Sequence, residues 1–199
     1  MAQSEYSLNQ LDSSTKKGKE DVYYDDIQTS ISSVRIPPAS APTWRDYDFG
    51  IVGGVDFPVL GFAVGDYIYF DIQTPHAMQI SSVLDEHFHF TIPTDGTGDN
   101  FQFQLDVIAA PVNGQWAVPT GSPFTSEITM SGDDSTYHRL FETAEIPAVN
   151  TSVSTLYKCQ LTRIAASANE YTGEVYVNFI DGHYRRDRDG SETEYTKEA

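Results

Sequence analysis

Residues 101–107, FQFQLDV, decide the fold because apolar and polar side chains alternate along the whole stretch. Successive side chains of an extended strand point to opposite faces, so this alternation predicts a β-strand with one buried face. The predicted buried positions are Phe101, Phe103, Leu105 and Val107. The polar positions between them are Gln102, Gln104 and Asp106. The segment is therefore predicted to line the core of a β-domain.

The same period of two recurs in four other segments of the chain. They are YIYFDIQ at 67–73, HFHFTI at 87–92, YKCQLTR at 157–163 and EVYVNFIDGHY at 174–184. In the last of these, Val175, Val177 and Phe179 are predicted to share the buried face. Turn-rich segments separate the strands at 93–100, 110–115, 119–122 and 131–135. Short strands between such turns predict an all-β fold, a single antiparallel β-sandwich of jelly-roll-like form over residues 46–185.

Both ends of the chain differ in composition from its centre. Residues 1–45 are polar, and their prolines at 37, 38 and 42 bar helix and favour extended backbone. They predict an extended N-terminal arm that lies across a neighbouring subunit, although this composition also fits a disordered tail. The arm residues predicted to make the interface are Val34, Arg35, Ile36, Pro37, Pro38 and Trp44. Residues 186–199 are highly charged and are predicted to form a solvated tail.

The chain is strongly acidic. Lys and Arg number 12 against 29 Asp and Glu, which gives a formal net charge of −17. Phosphate backbones and anionic lipids attract basic surfaces, so we expect neither nucleic acid nor membrane as a partner. No apolar run approaches the roughly 20 residues that span a bilayer. The start, MAQSEYSLNQ, lacks a basic region followed by an apolar one, so we expect synthesis in a cytoplasm.

Residue patterns that support catalysis are scarce. Cys159 is the only cysteine, so no intramolecular disulfide forms, and it lies on a predicted core face where a thiol acts as a small apolar group. The chain has no GxSxG sequence and no glycine-rich phosphate loop after a strand. We therefore predict that the protein is not an enzyme and has no catalytic residues. The acidic turns DGTGD at 95–99 and GDDS at 132–135 offer oxygen ligands for calcium but lack EF-hand spacing.

The histidines form a pattern that suits a metal ion. His87 and His89 are two residues apart on a predicted strand, so their rings leave the same face about 7 Å apart and form a candidate metal pair. His76 and His183 are predicted to approach from neighbouring strands and to complete a polar histidine cluster. Three interpretations stay open: a hydrogen-bonded polar row, a cupin-like metal site that lacks the expected following Glu, and a metal site shared by three chains. A metal ion at His87 and His89 is the single cofactor that the sequence suggests.

Four tyrosines are predicted to lie opposite the core face of their strands. They are Tyr67, Tyr69, Tyr176 and Tyr184. Exposed tyrosines offer contact area at low entropic cost, so they suit a sugar-stacking surface or a protein interface. A second sheet packed over them is the structural alternative.

Several segments, in this order, resemble a family of small structural proteins encoded by tailed bacteriophages. They are SSVRIPPASAPTW at 32–44, IYFDIQTPH at 68–76, EHFHF at 86–90, EVYVNFIDGHY at 174–184 and DGSETEYTKE at 189–198. The resemblance covers residues 22–197 and implies a β-domain behind a proline-rich arm. Two positions depart from the family pattern, which has proline where Glu86 stands and tryptophan where Phe90 stands.

This resemblance implies a virion protein. We expect a decoration, or cement, protein on the capsid exterior that binds the major capsid protein, forms a homotrimer and clasps neighbouring subunits with its N-terminal arm. Its expected location is the capsid surface of the virion. The alternatives are a tail, neck or fibre-associated module that binds host glycan, and a metal-dependent cupin-like enzyme.

Overall fold

The computed structural model describes residues 23–50, 53–80, 82–131, 137–147 and 154–186. Within them the chain forms ten β-strands and one short 3-10 helix, Ile31–Ser33. The strands are β1 (Tyr23–Thr29), β2 (Thr43–Tyr47), β3 (Phe57–Phe62), β4 (Tyr67–Gln73), β5 (Leu84–Thr91), β6 (Asn100–Ala110), β7 (Phe124–Thr129), β8 (Arg139–Ile146), β9 (Leu156–Ile164) and β10 (Val175–Arg186). No helix in these ranges is long and apolar enough to cross a membrane. The predicted all-β fold is confirmed.

Two antiparallel sheets pack face to face as a β-sandwich. The six-stranded sheet has the order β2-β3-β10-β5-β8, and β1 pairs with the C-terminal half of β10. The four-stranded sheet has the order β4-β9-β6-β7. From β3 onward the chain passes between the sheets at nearly every connection, as in jelly rolls. The predicted single antiparallel β-sandwich is therefore confirmed.

Phenylalanine rings fill the space between the sheets. The ring of Phe88 contacts those of Phe103 and Phe141, with a centroid separation of 4.7 Å in each case. Burying each such ring stabilises the fold by roughly 1.5–3 kcal/mol. Cys159 is also buried, as predicted, and burial raises the pKa of its thiol well above the ordinary value. The predicted core face of β6 is buried along its whole length.

A β-bulge in β10 changes which of its side chains face the core. Its register against β5 shifts between Val177 and Phe179, so Asn178 is an extra residue in the ladder. Val177 and Ile180 are both buried in the core, whereas Phe179 lies on the other face and packs against His89. The prediction that Phe179 shares the buried face with Val177 is therefore wrong, because one extra residue inverts the alternation.

Residues 23–45 pack on their own domain. β1 pairs with β10, and Ile31 enters the core. Arg35 and Tyr69 exchange both backbone hydrogen bonds, at 2.8 and 2.9 Å, which ties the proline-rich segment to β4. This corrects the predicted boundary between arm and domain at residue 45, because prolines exclude helix but still permit pairing at a sheet edge. Residues 1–22 of the predicted arm and 187–199 of the predicted tail lie outside the described residues.

The residues predicted to contact a neighbouring subunit divide into two groups. Val34 and Ile36 pack against the core, and Pro37 is buried. The exposed members are Arg35, Pro38 and Trp44. Trp44 stands on β2, which forms one edge of the six-stranded sheet. Only the second group is therefore placed to meet another molecule.

A buried guanidinium holds one end of the sandwich together. Arg163 of β9 is fully buried and donates to the backbone oxygens of Phe62, Gly173 and Tyr171 at 2.7, 2.6 and 2.5 Å. It also donates to Glu170 Oε1 at 2.8 Å. These acceptors belong to the end of β3 and to the segment that leads into β10, so Arg163 joins the two sheets.

We expect Arg163→Met to lower the free energy of unfolding by about 3–5 kcal/mol, because it leaves buried carbonyl oxygens without a donor. Urea denaturation followed by tryptophan fluorescence measures the change. Arg45→Met is the matched control, since Arg45 makes a two-bond ion pair with Glu174 on the surface of the same domain. Equal losses in both variants would contradict the role given to Arg163.

Candidate functional site

The pairing of β5 with β10 assembles a histidine cluster on the outer face of the six-stranded sheet. Asp181 lies directly opposite His87, and Phe179 lies opposite His89. His183 follows two residues after Asp181, so it occupies the same face. His138, just before β8, completes the set. The histidine cluster is defined as His87, His89, His138, Asp181 and His183.

Two histidines of this cluster contact the same carboxylate oxygen. Asp181 Oδ1 lies 2.6 Å from His87 Nε2 and 3.1 Å from His89 Nε2. The rings of His87 and His183 are in edge contact, with their centroids 4.4 Å apart. Ligand atoms from His87, Asp181 and His183 all lie within 4.8 Å of one another. A carboxylate and imidazole nitrogens this close form a candidate metal centre.

Each histidine around Asp181 has a further partner. His89 Nδ1 lies 2.5 Å from His138 Nε2. His183 Nε2 lies 3.1 Å from Asp26 Oδ1 on the neighbouring strand β1. His87 makes a hydrogen bond with the backbone of Asp85. The orientation of all three rings is therefore fixed by groups outside the central contact.

Burial decides the charge state at the centre of the cluster. His87 and Asp181 are only 4% and 6% exposed. Burial lowers the pKa of His87, an effect that the Asp181 carboxylate opposes and that His183 and His89 reinforce. The His87 ring is thus held toward its neutral form, which is the form that ligates metals. An open groove of about 750 Å³ reaches His87 and His183 along β8.

Glu86 points away from this cluster into the core. Its side chain is buried beside Gly182, where a Cβ atom would lie 2.8 Å from Glu86 Oε2. Neither carboxyl oxygen has a hydrogen-bond partner among the described residues. Burial raises the pKa of Glu86 well above its ordinary value, and the nearby Asp181 raises it further. A carboxyl in this setting keeps its proton.

The structure brings together three of the four histidines predicted to cluster. His87, His89 and His183 meet, whereas His76 lies elsewhere and its Nε2 is 2.9 Å from Ser154 Oγ. The predicted inclusion of His76 is corrected, because it follows the end of β4, which belongs to the other sheet. His138 and Asp181 were not predicted. Asp181 is two residues before His183, so the same spacing that linked His87 to His89 was the available signal.

The acidic turns considered as calcium ligands do not add to this centre. Asp95 accepts hydrogen bonds from the backbone N–H and the hydroxyl of Thr97, and these bonds lower its pKa. This is an ordinary side-chain-capped turn. The GDDS turn at 132–135 lies outside the described residues.

A second surface lies on the outer face of the four-stranded sheet. This tyrosine face is defined by Tyr67, Tyr69, Asp106, Ile108 and Gln160. The two tyrosine rings are in edge contact at 5.4 Å, and a largely apolar groove of about 410 Å³ runs beside Tyr69. Of the four tyrosines predicted to lie opposite the core, Tyr184 is instead buried in it.

A third surface is apolar and lies at the edge of the six-stranded sheet. This aromatic edge is defined by Trp44, Tyr47, Phe49 and Phe57, of which Trp44 lies on the opposite face of β2 from Tyr47. Tyr47 contacts Phe49 at 5.0 Å, and Phe49 contacts Phe57 at 6.3 Å. Trp44 is 44% exposed and Phe57 is 51% exposed. Exposed aromatic side chains at a sheet edge suit a protein-binding surface.

Similarity to known proteins is limited to overall architecture. No protein-family model and no curated protein matches the sequence. A family 35 carbohydrate-binding module from Clostridium thermocellum has 15% identity and a TM-score of 0.44, over 79% of this chain and 97% of that chain. A chain of infectious bursal disease virus strain Gx has 9% identity and a TM-score of 0.37, over 84% and 32%. TmCBM61, in complex with β-1,4-galactotriose, has 12% identity and a TM-score of 0.29, over 83% and 88%.

Replacing Glu86 with Gln tests the buried carboxyl. The folded protein keeps this proton in the pH range where the unfolded chain loses it, so rising pH favours unfolding of the wild type above its ordinary pKa of 4.5. We expect the stability of Glu86→Gln relative to wild type to increase with pH by at most about 1.4 kcal/mol per unit, until the folded-state pKa is reached.

Urea denaturation at about pH 4 and about pH 8, with a chelator present, measures this difference. Asp95→Asn is the matched control, because Asp95 is an exposed carboxyl whose pKa is lowered. A Glu86→Gln difference that stays constant across this range would show that Glu86 is not protonated in the fold.

Proposed function

We propose that this protein is a structural module of a tailed-bacteriophage virion, namely a decoration (cement) protein bound to the outside of the shell. The ordered set of sequence segments over residues 22–197 supports this proposal. So does the net charge of −17, which suits a surface that faces solvent outside packed DNA. Its partners in the proposal are the major capsid protein and two further copies of itself.

The observation that carries the proposal is the aromatic edge. β2 is an edge strand, so its outer side can accept a further strand from a neighbouring protein. Trp44 and Phe57 stand beside that edge and are about half exposed. An added strand would gain backbone hydrogen bonds from β2 and apolar contact from the two rings.

This route replaces the clasp that the sequence suggested for residues 23–45. Those residues pack on their own domain through β1, the Arg35–Tyr69 pairing and β2. A contact between this protein and the shell must therefore form while residues 23–45 remain packed on their own domain. Many individually weak contacts, repeated over a regular shell, then hold the decoration protein in place through multivalency.

The decoration proposal is tested on purified particles of the encoding phage. Quantitative mass spectrometry is expected to find hundreds of copies per particle, because a shell protein is repeated with the lattice. A few copies per particle would favour a tail or neck position, and none would overturn the virion proposal.

The docking edge is tested with the same particles. We expect the double variant Trp44→Ala, Phe57→Ala to raise the apparent Kd for the particles at least about tenfold, since the loss of about 1.4 kcal/mol has that effect, and so to lower occupancy at concentrations below that Kd. Ile108→Ala is the control, because Ile108 is similarly exposed on the opposite sheet. Unchanged occupancy in the double variant would exclude this edge as the contact.

Glycan binding is a second candidate, favoured by the tyrosine face. Tyr69 lines an apolar groove whose floor also carries Asp106 and Gln160. A ring that covers the apolar face of a sugar beside amide and carboxylate groups that bond its hydroxyls is a workable recognition surface. In this alternative the protein is a tail, neck or fibre-associated module.

We expect a soluble oligosaccharide panel, screened by glycan array and then by calorimetry, to identify a ligand if this candidate is correct. Tyr69→Ala should raise the Kd of that ligand roughly tenfold, because about 1.4 kcal/mol of stacking and burial is lost. Trp44→Ala is the control, because Trp44 lies on the other sheet. Binding that survives Tyr69→Ala would exclude the tyrosine face.

A further inference from the structure

We propose that His87, His89, Asp181 and His183 form a binding site for one Zn²⁺-class divalent cation within a single chain. This inference is independent of the virion proposal, because it concerns the outer face of the six-stranded sheet alone. It rests on the arrangement of donor atoms, on the partners that hold each ring and on the burial of Asp181.

The spacing of the donor atoms suits a small tetrahedral ion. Bonds of roughly 2.0–2.1 Å place two ligands of a tetrahedral zinc ion about 3.3 Å apart. Asp181 Oδ1 is 2.6 Å from His87 Nε2 and 3.1 Å from His89 Nε2. His183 contributes a ligand atom within 4.8 Å of those of His87 and Asp181. His89 lies outside that group of three, so its ring must shift toward the ion to supply a fourth ligand.

His87 and His183 are oriented as metal-bound histidines usually are. Such a ring gives one nitrogen to the ion and its other nitrogen to a carboxylate, a backbone carbonyl or water. Here the second partners are Asp26 for His183, His138 for His89 and the backbone of Asp85 for His87. Asp26 Oδ1 contacts Nε2 of His183, which leaves Nδ1 of that ring for the ion.

The buried negative charge of Asp181 favours the binding of a cation. Its carboxylate is 6% exposed, and the contacts that the structure gives it are to histidine rings. Among the described residues no Lys or Arg side chain pairs with it. Asp26 lies beside His183, so a second carboxylate adjoins the cluster. Burying a carboxylate without a counter-charge is strongly unfavourable, and a bound divalent ion removes that penalty.

The donor set selects the class of metal. Three imidazole nitrogens and one carboxylate oxygen suit Zn²⁺ and its neighbours Co²⁺ and Ni²⁺. Ca²⁺ and Mg²⁺ prefer sets composed of oxygen. The groove along β8 that reaches His87 and His183 gives the ion a path from solvent.

The experiment uses the full chain, stripped with a chelator and titrated with ZnCl₂ by calorimetry. One Zn²⁺ per chain and a higher melting temperature are expected. Co²⁺ titration is expected to give the visible absorption of a tetrahedral ion. No binding at millimolar ZnCl₂ would overturn the site, and one ion per three chains would assign the metal to a trimer axis instead.

Three variants test the ligand assignment. His183→Ala removes a ligand whose side chain is 42% exposed, so the fold is retained, and the Kd for Zn²⁺ should rise by more than roughly 100-fold. Asp26→Asn keeps all four ligands and should raise the Kd roughly 10–100-fold. His76→Ala is the matched control, because His76 contacts Ser154 outside the cluster, and its Kd should equal that of the wild type.

These variants separate a built site from adventitious zinc. Wild-type affinity in His183→Ala, or an equal loss in His76→Ala, would overturn the assignment. Circular dichroism of each stripped variant confirms that the sandwich has formed before the titration.

Discussion

The register between β5 and β10 is the constraint on which the rest of the structure depends. β10 pairs with β1, β3 and β5, so it is the strand around which the six-stranded sheet is built. The extra residue at Asn178 lets β10 keep apolar residues in the core on both sides of the shift. The same shift places Asp181 opposite His87 on the outer face. One irregularity in the ladder therefore serves both the core and the histidine cluster.

Two buried charged residues of this domain, Arg163 and Asp181, differ in the partners that compensate their charge. Arg163 of the four-stranded sheet donates four hydrogen bonds to the end of β3 and to the segment that leads into β10, so its burial holds the sandwich together. Within the described ranges the side-chain contacts of Asp181 are to imidazole rings, and burial lowers the pKa of His87 so that this ring resists protonation. The acceptors of the first charge come from the protein itself, and of the guanidinium nitrogens Nε alone has no partner among the described residues. The second charge is compensated when a cation joins it.

Binding sites of this sandwich can lie only on its outer surfaces, because its interior is filled with side chains. Phenylalanine rings occupy the space between the sheets, so recognition is left to the outer faces and edges. The histidine cluster, the tyrosine face and the aromatic edge lie on separate parts of that surface. Substitutions at one of them can therefore be made without disturbing the others, which suits a module with several contacts.

The sequence by itself determined strands β4, β5, β6 and β9, their buried faces and the shared face of His87 and His89, because alternation is a local property that follows from the period of an extended chain. It did not determine strand order, the shift at Asn178 or the meeting of Asp181 with His87, which are 94 residues apart along the chain. Nor did it show that residues 23–45 fold onto their own domain, since proline excludes helix without naming a partner strand. Only the tertiary structure decided those features. They depend on contacts between segments that are distant in sequence, and the local sequence of one segment does not show which other segment it pairs with.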